Sequence, residues 1–156
     1  NDFDITGISE EAKADLNLAW HRLDAWPDSP PGLARLKSKF ILATMSNGNI
    51  ALMVDMAKYA NLPWDAILGA ELAHAYKPDA KTYLTGVELL HLIPEQVMMV
   101  AAHQDDLFAA AKQGLKTAFV KRPLELGVNG KVDTTPDPSF DFVCNDFRDL
   151  ATQLGV

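Results

Sequence analysis

The sequence predicts a doubly wound α/β fold built on a parallel sheet. Short apolar runs alternate with amphipathic stretches of helical length, an order that implies parallel strands joined through crossover helices. Polar clusters also stand directly behind the apolar runs, at the strand ends where such sheets place their sites.

The elements follow in order. Residues 9–23 fit a helix: Ser9 can cap it, Glu10 and Glu11 suit its positive first turn, and Ala12, Leu16, Ala19 and Leu23 recur at helical spacing. Trp26-Pro27-Asp28-Ser29-Pro30-Pro31 interrupts that pattern and reads as a linker, with a boundary near residue 30. Residues 39–45 form an apolar run suited to a buried strand. Residues 49–60 are helical, with Leu52, Met56 and Ala60 on one face, and 66–69 is a weaker strand. Residues 78–90 read as a helix with proline in its first turn, 97–102 as a strand, 105–113 as a helix and 116–120 as a strand. A strand at 140–144 and a helix at 147–154 complete the series.

Composition narrows the function classes. The 156 residues suit one domain able to bury a sizeable core, and 48% apolar with 22% charged residues is the balance of a globular chain. A net charge of -7, with the basic residues scattered, argues against nucleic acid and against anionic membrane surfaces as partners. The apolar runs at 40–45 and 97–102 are too short to span a bilayer. Cys144 is the single cysteine, which excludes an internal disulfide and a multi-thiolate zinc site. The expectation is a soluble, cytoplasmic protein without a leader segment.

Three polar stations carry the chemistry. Ser46-Asn47-Gly48-Asn49 leaves a strand and enters a helix, placing a hydroxyl and two carboxamides beside backbone amides of positive partial charge, suited either to an anion or simply to capping. Lys77 before Pro78 and Asp79 can act as a fixed cation or remain solvated, and Tyr83 beyond it can be a core aromatic. His103-Gln104-Asp105-Asp106 follows the most apolar strand. Its carboxylates can serve as general base, metal ligand or helix-start charge, and His103 can hydrogen-bond a substrate. His21, His74 and His91 are dispersed, and no G-x-S-x-G elbow or glycine-rich phosphate loop is present.

Taken together, Met45-Ser46-Asn47-Gly48-Asn49, Tyr76-Lys77-Pro78-Asp79 with Tyr83, and Met99-Val100-Ala101-Ala102-His103-Gln104-Asp105-Asp106-Leu107 resemble the haloacid dehalogenase superfamily, and within it the type II 2-haloacid dehalogenases. Trp20-His21-Arg22-Leu23 with Trp26-Pro27-Asp28 looks like the return from that family's helical cap. Val120-Lys121-Arg122-Pro123-Leu124-Glu125 looks like its segment after the fifth strand. The resemblance implies a Rossmann-like core with a cap remnant in residues 1–30 and the α/β hydrolase core in residues 31–156.

The reaction implied is attack of an aspartate carboxylate on C2 of a short 2-haloacid, with expulsion of halide and hydrolysis of the resulting ester. By the same resemblance Ser46 holds the substrate carboxylate, Asn47 cradles the departing halide, Lys77 pairs with the nucleophile, Tyr83 lines the pocket and Asp106 organises the hydrolytic water. No cofactor is implied, and a homodimer is. The magnesium-dependent phosphatases of the superfamily resemble V-G-D-x-x-x-D where this chain has Val100-Ala101-Ala102 leading to Asp106. Alanine cannot ligate a hard cation, so the metal-free branch is expected. The better-known dehalogenases resemble V-S-S-N there, from which Ala101 and His103 depart.

The resemblance also implies a nucleophilic aspartate at the end of a first, central strand that these residues do not contain. Asp4 is the one early candidate, and it stands too near the cap-like helix to fit. The expectation is therefore a core without its first strand, inactive by itself. The alternatives are a magnesium-dependent phosphatase and a binding module without chemistry.

Overall fold

The computed structural model describes residues 7–156; Asp4 lies outside them. Helix α1 (Glu10–Asn17) starts where Ser9 accepts a hydrogen bond from the Ala12 amide at 3.1 Å, and it runs into a 3₁₀ turn (Leu18–Arg22). The proline cluster expected as a linker is instead the first turn of α2 (Ser29–Lys37), a helix that the sequence pattern did not single out. Pro30 and Pro31 sit where helix amides have no partner, so they preset the backbone without losing a bond.

Next come α3 (Ile50–Tyr59), the single turn α4 (Ala70–Ala73), α5 (Ala80–Leu89) and a 3₁₀ turn (Pro94–Gln96). They are followed by β1 (Met98–Ala101), α6 (Gln104–Ala111), β2 (Lys116–Val120), β3 (Phe142–Cys144) and α7 (Phe147–Gln153). Side-chain caps set three of these helix starts, each within a few residues: Asn49 to the Leu52 amide, Asp79 to the Lys81 amide and Asp146 to the Asp149 amide, all at 2.8 Å. Pro78 stands before the α5 cap rather than in its first turn.

The sheet is parallel, in the order β1-β2-β3, with Val100 opposite Ala118 and Phe119 opposite Val143. The expected strands at 39–45 and 66–69 meet only through two parallel bridges, Ala43 with Ala66 and Ser46 with Gly69. Gly69 is obligatory there: its φ is +153°, and a Cβ would stand 2.2 Å from the Ser46 carbonyl oxygen.

Strand alternation sorts side chains into two cores, one on each face. Met99, Ala101, Phe119 and Val143 join Tyr83, Val87, Leu107 and Ala110 beneath α5 and α6. Met98, Val100, Ala118, Val120 and Cys144 join Leu33, Leu36 and Leu150 beneath α2 and α7. Residues 42–46 obey the same rule, since Leu42 packs into the second core and Met45 into the first. Among the described residues no helix is long and apolar enough to cross a membrane.

Candidate active site

Four elements deliver the site. The loop after residues 43–46 supplies Ser46 and Asn47, the turn between α4 and α5 supplies Lys77, and the first turn of α6 supplies Asp106, just beyond the carboxyl end of β1. Tyr83 reaches it from α5.

Asp106 is the hub. Its Oδ2 accepts from the Lys77 ammonium at 2.5 Å, and its Oδ1 accepts from the Tyr83 hydroxyl at 2.7 Å. The Lys77 and Asp106 side chains are only 18% and 17% exposed, so water screens their attraction poorly. Tyr83 is fully buried, and burial first, then its bond to the anionic Asp106, pushes the phenol well above its ordinary range. It stays neutral and donates. Each carboxylate oxygen of Asp106 keeps a lone pair for a further donor, and Lys77 keeps two N–H bonds for a further acceptor. The arrangement can order a water against one group and an anion against the other.

Asn47 is tied to Lys77 in both directions. Its Oδ1 accepts from the Lys77 amide at 2.8 Å and its Nδ2 donates to the Lys77 carbonyl at 3.3 Å. Ser46 Oγ accepts from the Gly48 amide at 3.0 Å, which leaves its own proton free to donate. Two of the remaining amides at the start of α3 are closed to an anion. Ile50 donates to Glu71 Oε2 at 2.7 Å and Leu52 to Asn49, so internal acceptors occupy them. Glu71 was not foreseen, because nothing local ties it to a helix that begins 21 residues earlier.

The structure thus joins Asn47, Lys77, Tyr83 and Asp106 in one hydrogen-bonded network, whereas among the described residues the Ser46 hydroxyl, next to Asn47 in the chain, bonds only to the Gly48 amide. His103 stands apart from it: the ring is exposed, and Nε2 lies 2.7 Å from Glu125 Oε1 in the following loop. Asp105, also in the first turn of α6, is exposed. A cavity of about 530 Å³ opens beside Asn47, lined also by Gly48, Leu52, Glu71, His74 and Tyr76; neither Lys77 nor Asp106 lines it. Among the described residues no three His, Cys, Asp or Glu side chains converge in a way that could hold a metal ion.

Sequence reasoning also missed an ion pair on the same rim. Arg122, just after β2, makes a two-pronged contact with Asp28 at 3.0 and 2.9 Å, and Asp28 further accepts from the Phe147 amide at 2.9 Å. The guanidinium lies 5.2 Å from the Trp26 ring and 5.5 Å from the Phe147 ring. The only signal was that both residues fall in stretches that resemble the family.

A parallel sheet flanked on both faces, with an ammonium, a carboxylate and a buried phenol joined at its carboxyl rim, is of the doubly wound α/β class with its polar cluster where that class places a site. The chain belongs to the haloacid dehalogenase-like hydrolases, whose family model matches residues 2–114. Over 110 residues it is 34% identical to (S)-2-haloacid dehalogenase 4A of Burkholderia cepacia, a match covering 69% of this chain and 48% of that protein. The crystal structure of an L-2-haloacid dehalogenase superposes with a TM-score of 0.91 at 46% identity, over 94% of this chain and 63% of that one. That of a defluorinating L-2-haloacid dehalogenase gives 0.92 at 44% identity, over 97% and 62%. The chain spans about half the length of the curated relatives it matches.

Proposed function

We propose that these residues form the greater part of a hydrolytic 2-haloacid dehalogenase site, completed by an aspartate on a strand that is not among residues 7–156. The observation that carries the reading is the bond from Lys77 to Asp106, because it fixes a cation and a carboxylate side by side, each with bonding capacity to spare. The naming of the relatives as 2-haloacid dehalogenases supports the substrate class.

In this reading the expected cap ends before α2, because the boundary near residue 30 falls inside that helix and Asp28 is held by the core, and the absent strand lies parallel between β1 and residues 43–46. Support comes from the side chains of residues 42–46, which feed the same two cores as β1, while β1 pairs with β2 alone among the described strands. An aspartate at the carboxyl end of that strand meets the spare N–H bonds of Lys77 and is held ionised. One carboxylate oxygen attacks C2 of the substrate from behind, the carbon–halogen bond breaks with its electron pair, and an aspartyl ester and free halide result. Ser46 donates to the substrate carboxylate. Asp106 then takes a proton from a water whose oxygen adds to the ester carbonyl; collapse breaks the ester C–O bond, the departing alkoxide takes the proton back from Asp106 to give the 2-hydroxy acid with inverted configuration, and the aspartate loses its remaining proton to solvent. Two copies are expected to pair, which sedimentation of the purified protein checks.

The test is a chain extended at its front by a strand ending in aspartate, assayed with (S)-2-chloropropionate and no added metal. Stoichiometric release of chloride and (R)-lactate is expected. Magnesium-dependent release of phosphate from a phosphate ester, without chloride release, would replace the reading with a phosphatase. Substrate binding without turnover would reduce the site to a binding module.

A further inference from the structure

The carboxamide of Asn47 spans the two backbone polar groups of a single residue, Lys77, as a strand neighbour would. Only one orientation of the amide satisfies both, since the flipped group would set donor against donor and acceptor against acceptor. The bond is also unlike anything else in the site: Lys77 begins at the end of an exposed turn, between Tyr76 and Pro78, and its side chain must cross to Asp106 on another helix. Its backbone therefore needs a fixed point for the four-carbon stem to deliver the ammonium to one place.

We propose that Asn47 is a positioning residue: by gripping the amide and carbonyl of Lys77 it sets the origin of the lysine side chain, and thereby the contact of the ammonium with Asp106. This deepens the dehalogenase reading and departs from the halide-cradling role that the family resemblance implies. Lys77 is the group that acts, and Asn47 acts through it. Asn47 lines the cavity and belongs to neither core, so a substitution there need not disturb the packing.

The readout is the rate at which each lysine of the chain is acetylated by an activated ester, followed by peptide mass spectrometry. Lys77 is mostly buried in its ion pair and reacts when it leaves Asp106. Lys37, at the end of α2 and bonded to Asp65 and the Pro63 carbonyl, is the internal reference for reagent strength, and far-ultraviolet circular dichroism reports whether the fold is intact. In Asn47→Ala the Lys77 rate is expected to rise about tenfold relative to Lys37, and in the milder Asn47→Ser several-fold. Asp106→Asn sets the upper limit. If the alanine variant loses its native circular dichroism, the serine variant decides. A parental Lys77-to-Lys37 ratio in a folded Asn47 variant overturns the proposal and returns the carboxamide to the halide. Chloride release plays no part in this measurement, so an absence of dehalogenation and a failure of the positioning role are separate outcomes.

Discussion

Removing the Arg122 guanidinium should be among the most damaging single changes in this fold. The pair with Asp28 is buried, with side-chain exposures of 10% and 12%, and Arg122→Met leaves the Asp28 carboxylate with the Phe147 amide as its remaining strong donor. Breaking a buried pair from one side costs about 3–5 kcal/mol, because the stranded charge keeps its desolvation penalty. Methionine retains part of the packing between Trp26 and Phe147, so about 3 kcal/mol is expected. With a urea dependence of about 2 kcal/mol per molar, the unfolding midpoint should fall by about 1.5 M. Trp26, beside the guanidinium, supplies a local fluorescence signal. Adding Asp28→Asn to Arg122→Met removes the stranded charge while keeping an acceptor for the Phe147 amide, and should recover more than half of the loss. A single variant that loses less than about 1 kcal/mol, or a double variant no better than the single, would refute the reasoning. The same pair sets an acid limb. Burial alone would raise the Asp28 carboxyl, but the Arg122 bond, the Phe147 amide and the Arg122 charge outweigh it and hold the group below its ordinary value of 3.8. Its contribution is thus complete above 3.8 and is lost as the pH falls from there through the depressed folded-state value; Arg122→Met should abolish that limb.

Three further outcomes follow from the geometry. Tyr83→Phe strips one donor from Asp106 inside the core and should lower stability by about 1.5–3 kcal/mol, the range for hydrogen bonds to charged groups, measured by urea unfolding; a neutral result would mean that water replaces the phenol. Gly69→Ala must push the Ser46 carbonyl away and should cost more than about 1 kcal/mol, with loss of amide exchange protection at Ala70, which donates to that carbonyl at 2.8 Å. Cys144 is buried, and burial followed by the charges of Asp149 and Asp146 pushes its thiol up to about 11; it should resist thiol reagents at pH 8 until the chain unfolds, and fast labelling of the native protein would contradict that environment.

Much of the fold was legible in the residues. Strand 116–120 matches β2 at both ends, and the helices at 49–60 and 147–154 match α3 and α7 to within a residue at each end, because apolar spacing and a capping side chain act over a few positions. The sorting of Phe119 from Ala118 and Val120 onto opposite faces follows from the pleat alone. Helix 29–37 was not, since the prolines that begin it carry the same local signal as a linker; what settles the matter is packing on α7, where a Cβ on Gly32 would stand 2.5 Å from that of Phe147. The site divides in the same way. Residue order after the strands, together with the family resemblance, pointed to Ser46, Asn47, Lys77, Tyr83, His103 and Asp106, of which Asn47, Lys77, Tyr83 and Asp106 bond to one another while His103 pairs with Glu125 instead. Which groups bond to which was a tertiary decision: Asp28 finds Arg122 across 94 positions, Glu71 caps a helix that precedes it, and Asn47 grips a backbone 30 residues on. Caps and pleats are short-range and written in neighbouring letters, whereas these bonds exist only once the sheet and its two cores have brought distant side chains within reach.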